Sequence, residues 1–340
     1  MRAIKKLLAL LLATATGLSL FAGCGSDAVT PETTVAPTEA KEAKTSLKVL
    51  TLGHSLAVDS CYMLSLIAAA EGYTELTVGT LYYSGCSLSR HVQYMTTDAR
   101  EYRLYISNSA DVSIPRETIE DITMGEAVRF TDWDVIVLQG STFEVAEDAG
   151  LTNGNIQLLQ KFVNDNKLNP DAVFAWHLFW SPATDPELIA MHPTKPDPIT
   201  GKYVKYDTDR IKLFDAMAQC VGKYISTDET FQFVIPSGTA FENAMTCYME
   251  ENELLRDYGH ANDLGRLITG YTWYCTLRGI DHLEALKLTT IPKAYFKSTV
   301  SNEDRVLTEH EQALVLESVN HALKNPLQIT QSTFTERPAQ

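Results

Sequence analysis

Two short segments of the sequence carry residue types that together could catalyse nucleophilic acyl transfer. The first is Gly53-His54-Ser55, in which a serine directly follows a short apolar run. The second is Asp257-Tyr258-Gly259-His260, in which an aspartate stands three positions before a histidine. A serine nucleophile needs a base within hydrogen-bond reach, and that base needs a partner that orients it. Ser55, His260 and Asp257 therefore form a candidate nucleophile, base and orienting acid.

Each of these segments also has a purely structural interpretation. Serine is favoured where helices begin, so Ser55 could simply start the helix that follows it. Asp257 and His260 could be surface residues of a loop that leads into a helix, because Asn262 and Asp263 are typical helix-start residues. The chemical interpretation therefore requires a fold that brings the two segments together.

The apolar pattern predicts such a fold. Short apolar runs predict strands, and longer runs with helical spacing predict helices. The predicted strands cover residues 47–52, 76–83, 134–138, 172–180 and 231–236, and the predicted helices cover 59–70, a stretch from about 89, 154–166, 209–224 and 263–277. Alternating strands and helices indicate a parallel sheet covered on both faces, with ligands bound at the carboxyl ends of the strands. Residues 181–206 and 288–306 match neither pattern.

The order Ser, Asp, His also occurs in α/β-hydrolases, which place the serine in a Gly-x-Ser-x-Gly turn after several strands. The segments that begin at Gly53 and Gly85 both lack the final glycine, and only one strand precedes Ser55. These two differences argue against the α/β-hydrolase fold.

The ordered set of segments resembles the four-block layout of the SGNH (GDSL-like) hydrolases. The closest resemblance is to a bacterial branch of that clan filed as a domain family of unknown function. The segments that carry it are LGHSLAVDS (52–60), GTLYYSGCSLSRH (79–91), WDVIVLQGS (133–141), AWHLFW (175–180), IPSGTAFENA (235–244) and RDYGHANDLGR (256–266).

This resemblance implies a flavodoxin-like α/β/α sandwich of three layers with esterase or acetylesterase activity. By position, Ser55 would be the nucleophile, His260 the base and Asp257 the residue that orients it. The oxyanion would be bound by the backbone amides of Ser55 and Gly85 and by the side chain of Gln139.

The sequence departs from the family pattern in two blocks. His54 stands where the first block usually has Asp or Asn, and residues 139–142 lack the usual Asn-Asp pair of the third block. His54 could contact substrate, although packing is the favoured interpretation. His91 and His177 are further candidates for the cleft, with burial in the core as the alternative.

Aromatic residues near the predicted strand ends could stack on sugar rings or pack in the core. They are Tyr82, Tyr83, Trp176, Phe179 and Trp180.

The N-terminus has the pattern of an exported lipoprotein. Basic residues at 2, 5 and 6 precede an apolar stretch over 7–20, which is too short to span a membrane. Residues 21–24 resemble a bacterial lipobox, which implies removal of residues 1–23 and lipidation of Cys24. An ordinary secretory signal with a chance cysteine is the alternative. We expect a flexible tether over 24–46, a domain over 47–325 and a C-terminal tail over 326–340.

Composition limits the partners of this domain. The formal net charge of −15, from 28 basic and 43 acidic residues, argues against binding to nucleic acid. The five cysteines after Cys24 lack metal-site spacing, and their odd number does not indicate a disulfide framework, although one bridge stays open. No two histidines have the short spacing of a zinc site, so we expect neither metal nor cofactor.

Together these features predict a serine esterase, anchored by lipid to the outside of a bacterial membrane, that removes a small acyl group such as acetyl from a glycan. Its partners would be an acylated carbohydrate or another small ester and, through the lipid, the membrane. A noncatalytic glycan-binding lipoprotein on the same fold is the alternative.

Overall fold

A seven-stranded sheet forms the centre of the structure, a computed structural model that describes residues 46–190, 209–296 and 303–337. Its strands are β1 (Leu47–Gly53), β2 (Leu76–Tyr82), β3 (Tyr102–Asn108), β4 (Glu117–Ile122), β5 (Val135–Leu138), β6 (Val173–His177) and β7 (Phe231–Ile235). They lie in the order β4-β3-β2-β1-β5-β6-β7. The five strands from β2 to β7 in this order are parallel, and β3 and β4 extend the sheet as antiparallel strands.

The order of the parallel strands determines where a ligand can bind. Counted along the chain, these five strands have the spatial order 2-1-3-4-5, which is the flavodoxin-like arrangement. Its switch point lies between β1 and β5, where successive connections leave in opposite directions and open a crevice at the carboxyl ends. β5 and most of β1 are buried aliphatic strands, as a sheet covered on both faces requires. The predicted α/β fold is confirmed.

Twelve α-helices are described. They are α1 (Ser55–Cys61), α2 (Leu64–Ala70), α3 (Leu88–Thr97), α4 (Met124–Val128), α5 (Thr142–Val145), α6 (Asp148–Thr152), α7 (Asn155–Asn166), α8 (Pro186–Ala190), α9 (Arg210–Cys220), α10 (Ser237–Ala244), α11 (Asp263–Arg278) and α12 (Glu309–Lys324). A π-helical turn (Val221–Ile225) continues α9, two 3₁₀ turns cover Glu251–Glu253 and Lys293–Tyr295, and β8 (Thr290–Ile291) pairs with β9 (Arg305–Val306).

The helices form two layers. α1 and α2 pack against α11, which also contacts α10 and α12, whereas α3 and α4 pack against α7. Right-handed crossovers place these two groups on opposite faces, because the connection from β1 to β2 runs in the opposite direction to that from β2 to β5. Helix α1, which begins at Ser55, and helix α11, which follows His260, are therefore neighbours in one layer.

Several predicted elements differ from the structure. The helix predicted over 59–70 is two helices, with a break at Tyr62 and Met63, and the strand predicted over 172–180 ends at His177. Strand β4 was not predicted because it is largely exposed and polar. Strand β3 was missed because its buried residues, Tyr102 and Leu104, alternate with more exposed ones and form no continuous apolar run. Helix α12 was not predicted either, although its buried residues follow helical spacing.

The C-terminal segment differs from the predicted tail. As far as Arg337, residues beyond 325 contact the domain through hydrogen bonds: the Thr239 hydroxyl donates to the Pro326 carbonyl, and Tyr248 N–H donates to the Phe334 carbonyl. These residues are therefore part of the domain.

The predicted features of the N-terminus lie outside the described residues, Cys24 among them. Within the described ranges no helix is long and apolar enough to cross a bilayer. The five cysteines in those ranges are all free thiols, so the disulfide that the sequence left open does not form among them.

Gly238 allows α10 to approach the chain after β6. Its N–H donates to the Leu178 carbonyl (2.7 Å), and a Cβ at this position would lie 2.2 Å from the Phe179 oxygen. We predict that Gly238→Ala lowers the free energy of unfolding by about 2–3 kcal/mol, because backbone must move to admit the methyl group. Urea denaturation would measure this. Gly259→Ala is the control, since a Cβ there meets nothing within 4 Å. Equal losses in both variants would contradict the prediction.

Candidate active site

Ser55 lies at the switch point of the sheet. β1 ends at Gly53, His54 caps the helix, and Ser55 is the first residue of α1, with a partly exposed side chain. Glycine at position 53 leaves room for the Gln139 side chain, because a Cβ there would lie 2.5 Å from Oε1 of Gln139. The strand, the glycine and the cap together fix the serine at the carboxyl edge of the sheet.

His54 acts as the N-cap of α1. Its Nδ1 accepts the Leu56 N–H (3.4 Å), and its Nε2 lies 3.2 Å from the Gly140 carbonyl, so the neutral ring with hydrogen on Nε2 satisfies both contacts. Burial, opposed by the Gly140 carbonyl and reinforced by the charge of His260, lowers the pKa of His54 to about 4. Both nitrogens are occupied, so the substrate contact considered for this ring is replaced by a packing and capping role.

Gln139 does not occupy the expected oxyanion position. Its side chain is fully buried, its Oε1 accepts the His54 N–H (2.9 Å), and its Nε2 lies 3.0 Å from Nδ1 of His177. The amide therefore supports the junction between β1 and α1 from inside the protein. We correct its assignment from oxyanion donor to positioning residue.

His91 and His177 are also buried, which corrects their assignment to the cleft. Nε2 of His177 lies 2.6 Å from the Ser237 hydroxyl, and Nδ1 of His91 lies 2.9 Å from the Tyr102 hydroxyl. Burial is the largest cause that lowers the pKa of both rings, to about 3 for His91. Both are neutral parts of the core.

The loop from Asp257 to His260 forms the expected acid–base pair. Nδ1 of His260 lies 2.8 and 2.9 Å from the two oxygens of Asp257, and Oδ1 of Asp257 also accepts the N–H groups of Gly259 and His260. Burial raises the pKa of Asp257, but its hydrogen bonds and the charge of His260 hold that pKa well below the usual range. The carboxylate is therefore ionised and leaves Nε2 of His260 as the nitrogen available to a nucleophile.

Neighbouring loops fix this loop in place. The Trp180 indole donates to the Gly259 carbonyl (2.8 Å), and Ala183 N–H donates to the Tyr258 carbonyl (2.6 Å). The ring of Tyr258 contacts the His260 ring edge-on, at 5.5 Å between centroids. The dyad is thus attached to the segment that follows β6.

Asp59 attaches the same loop to the helix of Ser55. It lies four residues after Ser55 in α1, is fully buried, and accepts the Ala261 N–H (3.1 Å). It also accepts hydrogen bonds from Arg266 (2.8 and 3.1 Å) and Arg256 (3.0 and 3.1 Å). Burial raises the pKa of Asp59, yet the positive charges of the two arginines keep it below its usual value.

These contacts place the Asp257–His260 loop beside α1, the helix that begins at Ser55. The charge of His260 is a minor cause that lowers the pKa of both His54, the cap of this helix, and Asp59. Within the described residues, no hydrogen bond engages the Ser55 hydroxyl or Nε2 of His260, so both groups are free to meet a substrate. Catalytic hydrogen bonds are often long without substrate and shorten when it binds.

The Gly85 amide lies at the carboxyl edge beside β1. Gly85 follows β2 in a turn closed by the Cys86 N–H and the Tyr83 carbonyl, and its φ of +56° favours glycine. The buried carboxylate of Glu144 joins the next helix to the third block: it accepts the N–H groups of Leu88 (2.7 Å) and Ser141 (3.2 Å). These contacts connect the segment after Gly85 to the segment after β5.

A comparison with protein-family models matches residues 48–291 to the Domain of unknown function (DUF4886). The chain belongs to this family. A DUF4886 protein from Bacteroides uniformis ATCC 8492, whose crystal structure is known, is 21% identical; the alignment covers 86% of this chain and 100% of that one, with a TM-score of 0.65. The fold is therefore shared within the DUF4886 family.

Two other solved structures are more distant. A protein from Slackia heliotrinireducens that has been proposed to be an SGNH hydrolase is 15% identical over 68% of this chain and 99% of that one, with a TM-score of 0.40. A salicylyl-acyltransferase from a tetracycline biosynthetic pathway is 13% identical over 69% of this chain and 55% of that one, with a TM-score of 0.36. A comparison of this chain with curated proteins finds no significant match.

The sequence analysis missed the residues that support this site, chiefly Asp59, Arg256, Arg266 and Glu144. Asp59 carries a signal that could have been used: a carboxylate one helical turn after Ser55, on the face that the apolar pattern buries, requires a cationic partner. The two arginines flank His260 in the sequence, and they supply that partner.

We predict that Asp59→Asn destabilises the protein, because it leaves two guanidinium groups with too little buried negative charge. The expected loss is about 3–5 kcal/mol of unfolding free energy, measured by urea denaturation at neutral pH. Asp132→Asn is the control, since Asp132 pairs with Lys48 but has a side chain that is 52% exposed, and its loss should be within about 1 kcal/mol. Similar losses of unfolding free energy in the two variants would contradict the prediction that the buried Asp59 carboxylate stabilises the protein.

We also predict that His54 makes the protein lose stability in acid. The unfolded chain binds a proton at about pH 6.5 and the folded protein only at about pH 4, so stability falls between these values as pH decreases. The contribution of this one group is on the order of 3 kcal/mol.

His54→Asn keeps a capping side chain and should lose less stability between pH 7 and pH 4. The measurement is the free energy of unfolding at both pH values. His282→Asn, which alters an exposed histidine, is the control and should behave like the parent protein. A parent-like loss in His54→Asn would refute the prediction.

Proposed function

We propose that the protein is a serine esterase of the SGNH type that removes a small acyl group, for which acetyl is our expectation, from a carbohydrate. The observation that carries the proposal is the attachment of the Asp257–His260 dyad to the helix that begins at Ser55. Asp59 makes this attachment, since it belongs to that helix and accepts the N–H of the residue that follows His260.

In the proposed mechanism, Oγ of Ser55 attacks the ester carbonyl carbon while Nε2 of His260 takes the hydroxyl proton. Asp257 holds the other ring nitrogen and stabilises the imidazolium that forms. His260 then returns the proton to the departing alcohol, which leaves an acyl group on Ser55. Water activated by the same histidine hydrolyses this ester and releases the acid.

The tetrahedral oxyanion would be bound by backbone amides. The Ser55 N–H is one of the first amides of α1, which lack partners within the helix. The Gly85 N–H, in its left-handed turn, would be the second donor. With the Gln139 amide committed to His54 and His177, the proposed hole has two donors, and we expect a lower rate than a hole with three would support.

A second candidate function is noncatalytic glycan binding on the same fold. The inward-facing Gln139 amide and the absence of a hydrogen bond at the Ser55 hydroxyl among the described residues favour it. A chain of this kind would bind a glycan saturably, cleave no ester and leave Ser55 unlabelled by a fluorophosphonate probe.

Lipid anchoring through Cys24 and an extracytoplasmic location are part of the proposal. They rest on the N-terminal sequence, where a basic and then apolar stretch ends in Ala22-Gly23-Cys24. An anchored domain of this kind would act on polymers or fragments outside the cytoplasm.

We predict that Ser55→Ala lowers the turnover of p-nitrophenyl acetate and of an acetylated sugar by about 10³-fold or more, since the nucleophile is removed. The same variant should lose labelling by a fluorophosphonate. Ser113→Ala, which changes an exposed loop serine, is the control and should retain both properties. Unchanged turnover in Ser55→Ala would exclude the proposed mechanism, and saturable glycan binding without turnover in the parent would favour the second candidate.

A further inference from the structure

A cavity of about 260 Å³ lies at the end of β2, beside the proposed active site. Small-molecule sites begin at about 300 Å³, so the cavity has room for one sugar ring rather than a chain of them. Its lining includes Tyr82, Tyr83, Glu101, Arg103, Glu120 and Asp121. The mechanism proposed above uses none of these residues.

The cavity lies next to the end of β1 that leads into Ser55. Tyr82 is the residue of β2 paired with Gly53 of β1, and Tyr83 N–H donates to the Gly53 carbonyl (3.5 Å). Burial and then Asp257 are the main causes that raise the pKa of Tyr258, and the Tyr82 phenol adds a smaller electrostatic effect. The strand pairing places Tyr82, which lines the cavity, directly beside the end of β1 that leads into Ser55.

The two tyrosine rings are held in fixed orientations. Tyr82 packs on Tyr105 at 5.6 Å between centroids, and Tyr83 contacts Tyr94 edge-on at 5.1 Å. Both rings remain partly exposed, whereas Trp176, Phe179 and Trp180 are fully buried. Of the five aromatic residues that the sequence offered for sugar stacking, only these tyrosines retain accessible surface.

The polar lining is suited to hydroxyl groups and carries an excess of negative charge. Glu101, Glu120 and Asp121 accept hydrogen bonds, and Arg103 donates them, with one donor used on Glu120 at 2.6 Å. Three carboxylates against one guanidinium repel an anionic ligand. The set fits a neutral sugar ring, whose hydroxyls both donate and accept.

We propose that this cavity is the subsite for a neutral sugar ring adjoining the ester, with Tyr82 as the stacking residue and the carboxylates as the barrier to uronic acids. The inference rests on the proposed function, because it assigns the carbohydrate part of that substrate to a place on the protein. It goes beyond that function by naming the class of sugar that is accepted.

Binding to the full-length Ser55→Ala variant tests the subsite without turnover. Isothermal titration calorimetry would use acetylated xylotetraose as the neutral probe and acetylated tetragalacturonate as the anionic probe. We expect the neutral probe to bind and the anionic probe to bind at least about tenfold more weakly.

Tyr82→Leu in the same background removes the aromatic face but keeps apolar bulk, and should weaken binding of the neutral probe about tenfold. Tyr248→Leu, at a partly exposed tyrosine packed against His310, is the matched control and should bind like the parent. Asp121 has a left-handed backbone conformation, which asparagine tolerates. Asp121→Asn removes one negative charge and should reduce the difference in affinity between the neutral and the anionic probe.

Parent-like affinity in Tyr82→Leu, no binding of the neutral probe, or preference for the anionic probe would each overturn the proposal. Turnover of p-nitrophenyl acetate by the chain with Ser55 intact separates this proposal from the catalytic one. Tyr82-dependent binding without turnover would support the sugar subsite and exclude the esterase activity. Turnover without Tyr82-dependent binding would support the esterase activity and exclude the subsite.

Discussion

The buried carboxylate of Asp59 is the constraint on which the candidate active site depends. A charge in the interior is tolerated only when it is paired and fully hydrogen-bonded, and Asp59 meets this condition with two guanidinium groups and a backbone amide. Because those partners flank His260 in sequence, satisfying the charge also determines where the base stands relative to Ser55. The pairing of this buried charge thus affects both the stability of the fold and the geometry of the candidate active site.

The histidine at position 54 shows how a departure from a family pattern can preserve its structural role. A short acidic or amide side chain usually caps a helix at such a position, and the imidazole of His54 supplies the same acceptor. Its longer ring also reaches the Gly140 carbonyl, which joins the first and third blocks. Burial is tolerated because the ring is neutral, so the cap depends on pH in a way that an asparagine would not.

The sequence predicts the parallel sheet, the place of Ser55 and the Asp257–His260 pair, because apolar periodicity and local spacing determine them. The antiparallel edge strand β4 was beyond its reach, since an exposed polar strand lacks an apolar run, and β3, which alternates buried and exposed residues, lacks one as well. The orientation of Gln139 was also unpredictable: the chain places it at the correct strand end, but contacts with His54 and His177 decide which way the amide faces. The direction of the Gln139 side chain thus depends on partners that are distant in the sequence.

The ion pair between Asp59 and Arg266 joins residues that are 207 positions apart, one near the beginning of the domain and one in its last third. Such a separation gives the site a high contact order, and contacts of this kind form late because a long loop must close before they stabilise anything. During synthesis, α1 can pack against the neighbouring strands well before Arg266 is made. The Asp59 carboxylate stays hydrated until then. The proposed nucleophile and base would therefore come together only once most of the domain is made, so incomplete chains would lack the proposed site.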